Sequence, residues 1–389
     1  MPSAIVNPAE VWVLAREHPA PLMRATRALS QALERAYGPR FAVWHSDELL
    51  FGVRDGRLVL QTLGGQDVPP PKVVLVRQTP GSMVQNRELT LLRHLERLGA
   101  VLINSAASHH LCGNKVWQLQ ELAVAGLPVP DTLSYATAPL AGVVRSPQVE
   151  TPCVVKSVNG RNGASVFLVP DTGLLQAVSG SLAQEVPLIF QEYVAASHGR
   201  DLRVVVVDGE PVAAQIRASR DGALVSNLAR GASAELCLGR YPEGEALAVR
   251  AAETLGLTIA GVDLLFTADG GHTLCEVNAV PGWRPRMTAV IPAITAAIDK
   301  RLADTNSGTE TNSCTDANSC TETNSCTETN SCTDTNYGTD ASNGANASNG
   351  ANANSGTHND GDARIGIDAQ PLGEGSRITD ATDNVRGPA

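Results

Sequence analysis

The stretch that decides the fold of this chain is Gly261-Val-Asp-Leu-Leu265, followed by Leu274-Cys-Glu-Val-Asn-Ala-Val-Pro-Gly-Trp283. A polar turn, Asp269-Gly-Gly-His272, lies between the two apolar runs, so the pattern predicts a β-hairpin. Residues i and i+2 of a strand point to the same face. Glu276 and Asn278 therefore project together, and the hairpin can bring Asp263 beside them. Two carboxylates and an amide oxygen are hard ligands suited to Mg²⁺. The alternative is a hairpin whose acidic residues only face solvent.

Upstream of the hairpin, residues 1–110 alternate strand-like and helix-like patterns. Strands are expected at residues 11–14, 41–44, 72–76 and 101–104, and helices at residues 22–37 and 87–98. This alternation predicts an α/β domain with a mostly parallel sheet. No Gly-x-Gly-x-x-Gly motif occurs in it, so dinucleotide binding has no support.

The rest of the folded body divides into two further segments. Residues 111–185 contain a helix that begins at Lys115, a strand that carries Lys156, and a glycine-rich loop with Gly160 and Gly163. Residues 186–302 contain apolar runs that indicate an antiparallel sheet, then a helix, the hairpin and a closing helix. Domain boundaries are therefore expected near residues 110, 185 and 302.

Residues 303–389 differ sharply in composition from the body. A six-residue repeat places four cysteines in register, at Cys314, Cys320, Cys326 and Cys332. Large apolar residues are almost absent, so this tail is predicted to be disordered and dispensable for the chemistry. Soft-metal binding or cross-linking by the four thiols is the alternative. The tail holds 13 acidic and 3 basic residues, and the body holds 27 of each. A neutral body argues against a broad nucleic-acid footprint.

Features of the body favour a cytoplasmic location without membrane association. The N-terminus lacks the basic start and apolar core of a signal peptide, and no stretch reaches the ~20 apolar residues that span a bilayer. The body cysteines, at positions 112, 153, 237 and 275, lack the paired spacing of a zinc site and are interpreted as reduced core or near-surface residues. Cys275 is expected on the strand face opposite Glu276.

Several residues upstream of the hairpin suit a nucleotide. Lys156 directly precedes the glycine loop, whose backbone N–H groups can approach phosphate oxygens. The segment Gln191-Glu192-Tyr193-Val194 ends a strand, where backbone groups can read an adenine edge. Asp201 can take ribose hydroxyls, and Arg203 shares its strand face.

Three further residues, Arg217, Asn227 and Arg230, are spaced so that two more segments can reach the same cleft. Arginines there would bind a transferring phosphoryl group and the charge that develops on it. For any one of them, a surface salt bridge is the alternative explanation. Their order along the chain favours the nucleotide site.

Taken in order, these motifs resemble the ATP-grasp superfamily, and most of all its RimK-like branch of amino-acid ligases. The resemblance covers roughly residues 100–300 and rests on Lys115, Val155-Lys156, the glycine loop, Gln191-Glu192-Tyr193, Gly199-Arg-Asp-Leu-Arg203, Ser226-Asn-Leu-Ala-Arg-Gly231, Gly261-Val-Asp263 and Glu276-Val-Asn278-Ala-Val-Pro-Gly282. It implies α+β ATP-grasp domains after an α/β pre-ATP-grasp domain, with a disordered C-terminal tail.

The resemblance also implies a carboxylate–amine ligase that forms an acyl phosphate from ATP. Lys115 and Lys156 would contact the phosphates, and Arg203 and Arg230 would stabilise the acyl phosphate and its tetrahedral successor. Asp263, Glu276 and Asn278 would bind two Mg²⁺ ions, or Mn²⁺, with Glu276 bridging them. The nucleotide would be held by Gln191, Glu192, Tyr193, Val194, Asp201, Ser226 and Asn227.

Departures from the family pattern bear on the substrate. Val225 replaces an arginine that precedes Ser-Asn in RimK, and the Pro281-Gly-Trp-Arg284 form is similar to the tetrahydromethanopterin-associated branch. A glutamate ligase acting on a pterin-type or other small-molecule cofactor, or on a protein acceptor, is therefore expected. The alternatives are a ligase for another amine, of the lysine-biosynthesis or peptide-forming type, and a non-catalytic ATP-binding module. The resemblance also implies homo-oligomers, since related ligases often form dimers or tetramers.

Overall fold

The structure is a computed structural model, and it describes residues 8–16, 24–77, 85–145, 150–158, 166–181, 187–219, 222–224, 226 and 232–310. The strands are β1 (Val11–Ala15), β2 (Phe41–His45), β3 (Leu49–Arg54), β4 (Arg57–Thr62), β5 (Val73–Val76), β6 (Val101–Ile103), β7 (Thr132–Ser134), β8 (Cys153–Ser157), β9 (Val166–Val169), β10 (Leu188–Glu192), β11 (Arg200–Val207), β12 (Glu210–Ala218), β13 (Ser233–Leu236), β14 (Ile259–Phe266) and β15 (His272–Asn278). The helices are α1 (Arg24–Tyr37), α2 (Gln85–Arg97), α3 (Ala106–Cys112), α4 (Lys115–Val124), α5 (Leu140–Arg145), α6 (Thr172–Ser181), α7 (Pro242–Thr254) and α8 (Val290–Glu310).

The N-terminal part is built on a parallel sheet with the strand order β2-β1-β5-β6. β1 and β5 are buried along their whole length, as expected for central strands covered on both faces. The prediction of an α/β domain with a parallel sheet is confirmed. The strand order reverses between β1 and β5, because the chain adds β2 on one side of β1 and later β5 and β6 on the other.

One hairpin of the N-terminal part was not predicted from the sequence. β3 and β4 pair in antiparallel fashion and leave a two-residue turn, Asp55-Gly56, between them. Both turn residues have positive φ, 49° and 74°, which is the geometry that Asp-Gly favours in a tight hairpin. That dipeptide was the available sequence signal.

The second sheet is antiparallel and has the strand order β7-β10-β8-β9. Its core lies between the sheet and helices α5 and α6, with Cys153, Val155, Leu175 and Phe190 among the buried residues. This sheet extends past the expected boundary at residue 185, because β10 pairs with β8 and β7 and not with the strands that follow it. Local patterning could not reveal that pairing, since it joins segments that are distant along the chain.

The third sheet has five antiparallel strands in the order β13-β12-β11-β14-β15, which confirms the predicted antiparallel sheet and its hairpin. On β11, Val204 and Val206 pack in the cluster that contains α7. Val205 and Val207 face the other way, in a cluster shared with α8 and the N-terminal sheet. Because side chains alternate along a strand, Arg203 shares the face of Val205. This face is thus apolar at one end and charged at the other.

Asn104, which follows β6, joins the N-terminal sheet to the hairpin of β14 and β15. Its Nδ2 donates to the carbonyl oxygens of Ile259 and Ala279, each at 2.8 Å. Its Oδ1 accepts from the Ile259 backbone N–H at 2.9 Å. One buried amide therefore binds the first residue of β14 and the residue that follows β15.

The closing helix α8 runs to Glu310, eight residues beyond the expected end of the folded body at residue 302. Leu302 is buried in the cluster of α8, and Asn306 accepts a hydrogen bond from Lys72 at 2.7 Å. The predicted disorder of the cysteine-containing tail lies outside the described residues from 311 onward. Among the described helices, none combines the length and apolar character needed to cross a membrane.

Candidate nucleotide and metal site

Asp263, Glu276 and Asn278 lie together on the hairpin of β14 and β15. Asp263 is the cross-strand partner of Glu276, and Asn278 is the partner of Gly261. The Asn278 Nδ2 donates to the Gly261 carbonyl oxygen at 3.4 Å and to Glu276 Oε1 at 3.3 Å, which leaves the amide oxygen as an acceptor. The three residues predicted to bind metal are therefore neighbours. The part of the chain that is described holds no metal-competent group of three or more His, Cys, Asp or Glu side chains.

Two arginines from neighbouring strands hold Asp263. Arg203, its cross-strand partner on β11, donates from Nη1 to Oδ1 at 2.7 Å, and Arg217 of β12 lies 2.9 Å from the same oxygen. Arg217 also donates from Nε and Nη2 to Asp201, its own cross-strand partner. The register of three antiparallel strands thus builds a buried network of two acids and two arginines. The sequence had indicated that Arg217 could reach the cleft, but not that it bridges these acids.

Burial sets the electrostatics of this network. It raises the pKa of the Asp201 carboxyl, and the charge of Asp263 adds to that effect, while Arg217 and a hydrogen bond from Ser226 oppose it. Burial alone would lower the pKa of Arg217, but the charges of Asp263 and Asp201 raise it. Ser226, predicted to bind nucleotide, is buried beside Asp201. Asn227 and Arg230 lie outside the described residues, and their roles stay predictions.

Lys115 reaches the hairpin from the first position of α4. Its Nζ lies 2.7 Å from Glu276 Oε2. Burial opposes ionisation of Glu276, yet Lys115 and Lys156 hold the pKa of this carboxyl well below its usual range. Asn114 caps α4 by accepting two backbone N–H groups of the first turn, and this cap fixes the point at which the Lys115 side chain leaves the helix.

Gln118 is a positioning residue that sequence reasoning missed. It is buried on α4, where its Oε1 accepts from the Val277 backbone N–H at 2.8 Å and its Nε2 donates to the Cys112 carbonyl oxygen at 2.7 Å. It therefore anchors α4 to β15 between Glu276 and Asn278. A polar residue three positions after Lys115, on the same helical face, was the signal that could have identified it.

Lys156 and Gln191 come together on the second sheet. The Lys156 Nζ donates to Gln191 Oε1 at 2.8 Å, both side chains are buried, and Gln191 Nε2 donates to Thr132 Oγ1 at 2.8 Å. The glycine loop that follows β8 lies outside the described residues, so its predicted contact with phosphate stays a prediction.

Residues 192–194, predicted to hold adenine, follow Gln191 at the end of β10. Their side chains do not join the pair of Lys156 and Gln191. The Glu192 side chain is exposed and accepts from the Asp131 backbone N–H at 3.3 Å, on the strand face opposite Gln191. Tyr193 and Val194 are half-buried, and the Tyr193 hydroxyl lies 2.7 Å from Nδ1 of His198. Glu192 could therefore contribute to an adenine site through its backbone rather than its carboxylate.

Cys275 was expected on the strand face opposite Glu276 because side chains alternate along a regular strand. The strand is not regular at this residue. The register shifts between Asp263 and Leu264, so that Leu264 pairs with Leu274 and Cys275 becomes the extra residue of a β-bulge. Its thiol lies within electrostatic range of Lys156 and Asp263, and burial raises its pKa to about 11. The thiol is thus neutral near pH 7. All four body cysteines are free, as expected.

Comparison with known proteins identifies the family. A family model described as RimK-like ATP-grasp domain matches residues 112–304. N-acetylaspartylglutamate synthase A of Mus musculus is 38% identical over 282 residues, which are 71% of this chain and 73% of that protein. The chain belongs to the RimK-like ATP-grasp family.

Other relatives of this RimK-like chain carry the names of synthases and ligases. Beta-citrylglutamate synthase B of Homo sapiens is 38% identical over 239 residues, and the match spans 61% of this chain and 62% of that relative's length. Probable alpha-L-glutamate ligase of Methanococcoides burtonii is 33% identical over 232 residues, which are 59% of this chain and 73% of the relative.

Solved structures share the ATP-grasp fold with this RimK-like chain. D-cycloserine synthetase DcsG has a TM-score of 0.57 at 19% identity, with 75% of this chain and 99% of that chain covered. The ATP-grasp ligase PsnB has a TM-score of 0.56 at 24% identity, with 76% and 99% covered. At these identities the likeness establishes the fold and nothing finer.

The residues predicted to bind metal on the hairpin fit the Mg²⁺ that ATP-grasp ligases use with ATP. Both arginines contact Oδ1 of Asp263, so Oδ2 takes no part in these ion pairs. Glu276 accepts from Asn278 at Oε1 and pairs with Lys115 at Oε2, and each carboxylate oxygen has a further lone pair for a cation. The amide oxygen of Asn278 is left as an acceptor by the bonds of its Nδ2. Carboxylate and amide oxygens are the ligands that this cation prefers. The residues of this RimK-like site therefore suit the ion that the fold implies.

Proposed function

We propose that this RimK-like protein is an ATP-dependent ligase that joins a carboxylate of a small acceptor to the amine of an amino acid, with glutamate as the expected amine. The acceptor carboxylate takes the terminal phosphoryl group of ATP and ADP leaves. The amine then attacks the acyl carbon, loses a proton and displaces phosphate, which leaves an amide. The observation that carries the proposal is the grouping of Asp263 and Glu276 with Arg203, Arg217 and Lys115.

The cations of the site would neutralise phosphate charge. Phosphoryl transfer depends mainly on positioning and on charge neutralisation. Lys115 is held by Glu276 and Lys156 by Gln191, so both ammonium groups are fixed before a nucleotide binds. Mg²⁺ held by Asp263, Glu276 and Asn278 would align and neutralise phosphate oxygens.

The two described arginines would have different tasks. Arg203 is fixed by one ion pair to Asp263, and its remaining N–H groups can stabilise the negative charge that develops as the amine attacks. Arg217 is engaged by both Asp201 and Asp263. We therefore assign Arg217 to positioning these acids and Arg203 to contact with the reacting group.

The acceptor is proposed from the relatives' names. N-acetylaspartylglutamate and beta-citrylglutamate, the products named for two relatives, contain glutamate joined to a carboxylate-rich acid, and this favours a similar acceptor here. A pterin-type acceptor has no support among these relatives and stays a prediction from the sequence. The cytoplasmic location, the homo-oligomer and the use of two ions or of Mn²⁺ likewise stay predictions.

The test is an amide-forming assay with the purified full chain. ATP, Mg²⁺ and isotope-labelled glutamate are incubated with citrate, N-acetylaspartate or a pterin-type carboxylate, and ADP, phosphate and labelled amide are quantified by mass spectrometry. We expect the three products in equal amounts with at least one acceptor. Replacing glutamate by other amino acids tests the ligase for another amine. Nucleotide binding without turnover on every acceptor and amine would support the non-catalytic module instead.

A further inference from the structure

Arg77, at the carboxyl end of β5, is a buried cation outside the network described above. Its Nε donates to Thr26 Oγ1 at 3.4 Å and its Nη2 donates to the Pro281 carbonyl oxygen at 3.0 Å. Neither partner is charged, and within the described residues no acidic side chain forms an ion pair with Arg77. Burial lowers the pKa of its guanidinium to about 10. A buried charge without a counter-ion is costly, so this position is suited to an anion.

Two other side chains interact with this guanidinium, Trp283 by stacking and His109 by lying within electrostatic range, and we call the three residues together the Arg77 pocket. The indole of Trp283 stacks on Arg77, with 4.6 Å between Cζ and the ring centroid. His109 is 2% exposed, and its buried Nε2 has no hydrogen-bond partner in the part of the chain that is described. Burial, with the charge of Arg77, lowers the pKa of His109 to about 4, so the imidazole is neutral at pH 7. A neutral imidazole nitrogen can donate to a carboxylate.

The pocket lies where the order of the parallel sheet reverses. Arg77 follows β5 directly, and its backbone N–H donates to the Leu14 carbonyl oxygen of β1. In sheets of this kind, ligands bind at the carboxyl ends of the strands that flank the reversal. Arg16, which follows β1, is the comparable arginine, but it forms an ion pair with Glu88 at 3.2 Å. Within the described part of the chain, Arg16 has a carboxylate as its partner and Arg77 has none.

Pro281 connects the Arg77 pocket to the ligase site. A Cβ atom built on Gly261 would lie 2.7 Å from Cζ of Arg203 and 2.7 Å from Cβ of Pro281. Arg203 and Pro281 therefore flank the same point, and Arg77 binds the carbonyl of that proline. A substrate whose reacting carboxylate lies at Arg203 could extend one functional group further into the Arg77 pocket.

We propose that Arg77 binds a non-reacting carboxylate of a ligase substrate. Both N–H groups of Nη1 and the second N–H of Nη2 lie outside the two hydrogen bonds that Arg77 forms within the described residues. A guanidinium recognises a carboxylate through two parallel N–H donors, one on each of two nitrogens. This subsite rests on the proposed function, since it places the second carboxylate of either the acceptor or glutamate. The two sources share one chemistry and are separated by the test.

The test compares ligands that differ by one carboxylate. N-acetylaspartate is paired with N-acetylalanine, and glutamate with 2-aminobutyrate, and the dissociation constant of each is obtained from the shift in melting temperature of the full chain. In the wild type, we expect a shift that depends on the second carboxylate in at least one pair. Arg77→Met should weaken that binding at least 10-fold without lowering the melting temperature of the free protein. Arg16→Met, at the neighbouring strand end, is the matched control and should bind as the wild type does.

The outcomes separate this subsite from the ligase proposal. Unchanged binding in Arg77→Met, or a wild type that does not distinguish either pair, overturns the subsite. If that variant does not fold, Arg77→Lys keeps the charge without the parallel donors, and it should still weaken binding at least 10-fold; unchanged binding overturns the subsite here too. Carboxylate-dependent binding that Arg77→Met loses, in a wild type that forms no amide, leaves the subsite standing and removes the ligase. If Arg77→Met forms the amide with an unchanged KM for both substrates, the ligase proposal stands and the subsite is overturned.

Discussion

Lys115 and Glu276 form an ion pair of 2.7 Å that joins the first residue of α4 to β15. Gln118, further along α4, accepts a hydrogen bond from the backbone of Val277, so the helix is fixed to two consecutive residues of the strand. A predicted phosphate-binding lysine and a predicted metal ligand are thereby held in one geometry. Several consequences of this arrangement can be measured.

Replacing Glu276 by Gln should reduce kcat for amide formation at least about 1,000-fold, roughly 4 kcal/mol of transition-state stabilisation. The amide keeps the shape of the side chain but removes the charge that pairs with Lys115 and that would bind metal. Circular dichroism should show a folded protein. Glu253→Gln, at an exposed position of α7, is the matched control. Full activity in Glu276→Gln would remove the metal assignment.

Replacing Arg217 by Gln should lower the free energy of unfolding by about 3–5 kcal/mol, because it leaves Asp201 and Asp263 buried together without their shared partner. Urea denaturation measures the loss. The double variant Arg217→Gln, Asp201→Asn should recover part of it by removing one uncompensated charge. Arg240→Gln breaks an exposed pair with Glu235, so it should leave the free energy of unfolding nearly unchanged. An equally small cost at Arg217 would contradict the buried network.

Gly261→Ala should both destabilise the protein and impair turnover. The added methyl group would lie 2.7 Å from Cβ of Pro281 and would press on the Arg203 guanidinium. Crowding of this kind costs about 1–3 kcal/mol, and displacement of Arg203 should lower kcat about 100-fold. Gly52→Ala is the control, since this strand glycine has open space at its Cβ position. Equal behaviour of the two variants in melting and activity assays would show that Gly261 imposes no steric constraint.

His109 should couple folding to acid. Its pKa is lowered from 6.5 to about 4 by burial and by Arg77. Between these values the unfolded chain binds a proton that the folded chain does not, so the free energy of unfolding falls as the pH drops through this window. The contribution reaches up to about 3 kcal/mol. Urea denaturation at about pH 7 and about pH 4.5 should show a smaller loss in His109→Gln than in the wild type. Equal losses would exclude His109 as the coupled group.

Local sequence patterns predicted the strands and helices more successfully than they predicted which strands lie next to each other in a sheet. Hydrophobic alternation was sufficient to place the hairpin that carries Asp263 and Glu276, because a short turn determines which strands pair. It could not assign β10 to the sheet of β8, since that pairing depends on contacts between segments distant in the chain. The hairpin of β3 and β4 was missed although Asp55-Gly56 encodes its turn.

The site shows the same division between local and distant information. The predicted ligands Asp263, Glu276 and Asn278 are adjacent because they belong to one hairpin. The bridging position of Arg217 depends on the register of β12 against β11, which no single stretch specifies. Cys275 departs from alternation because a bulge inserts an extra residue, and nothing in the local sequence marks that insertion.

Asn104 has a mechanical consequence for catalysis. Its side chain bonds Ile259, the first residue of the β14–β15 hairpin, and Ala279, the residue that follows it. Both are thereby joined to the end of the N-terminal parallel sheet. Hairpin and sheet should therefore move as one rigid body. Hinge closure around a nucleotide would then be carried by the second sheet, which holds Lys156. Lys156 would then approach the predicted metal ligands, and substitutions that change this motion would alter nucleotide capture while leaving the geometry of Asp263 and Glu276 unchanged.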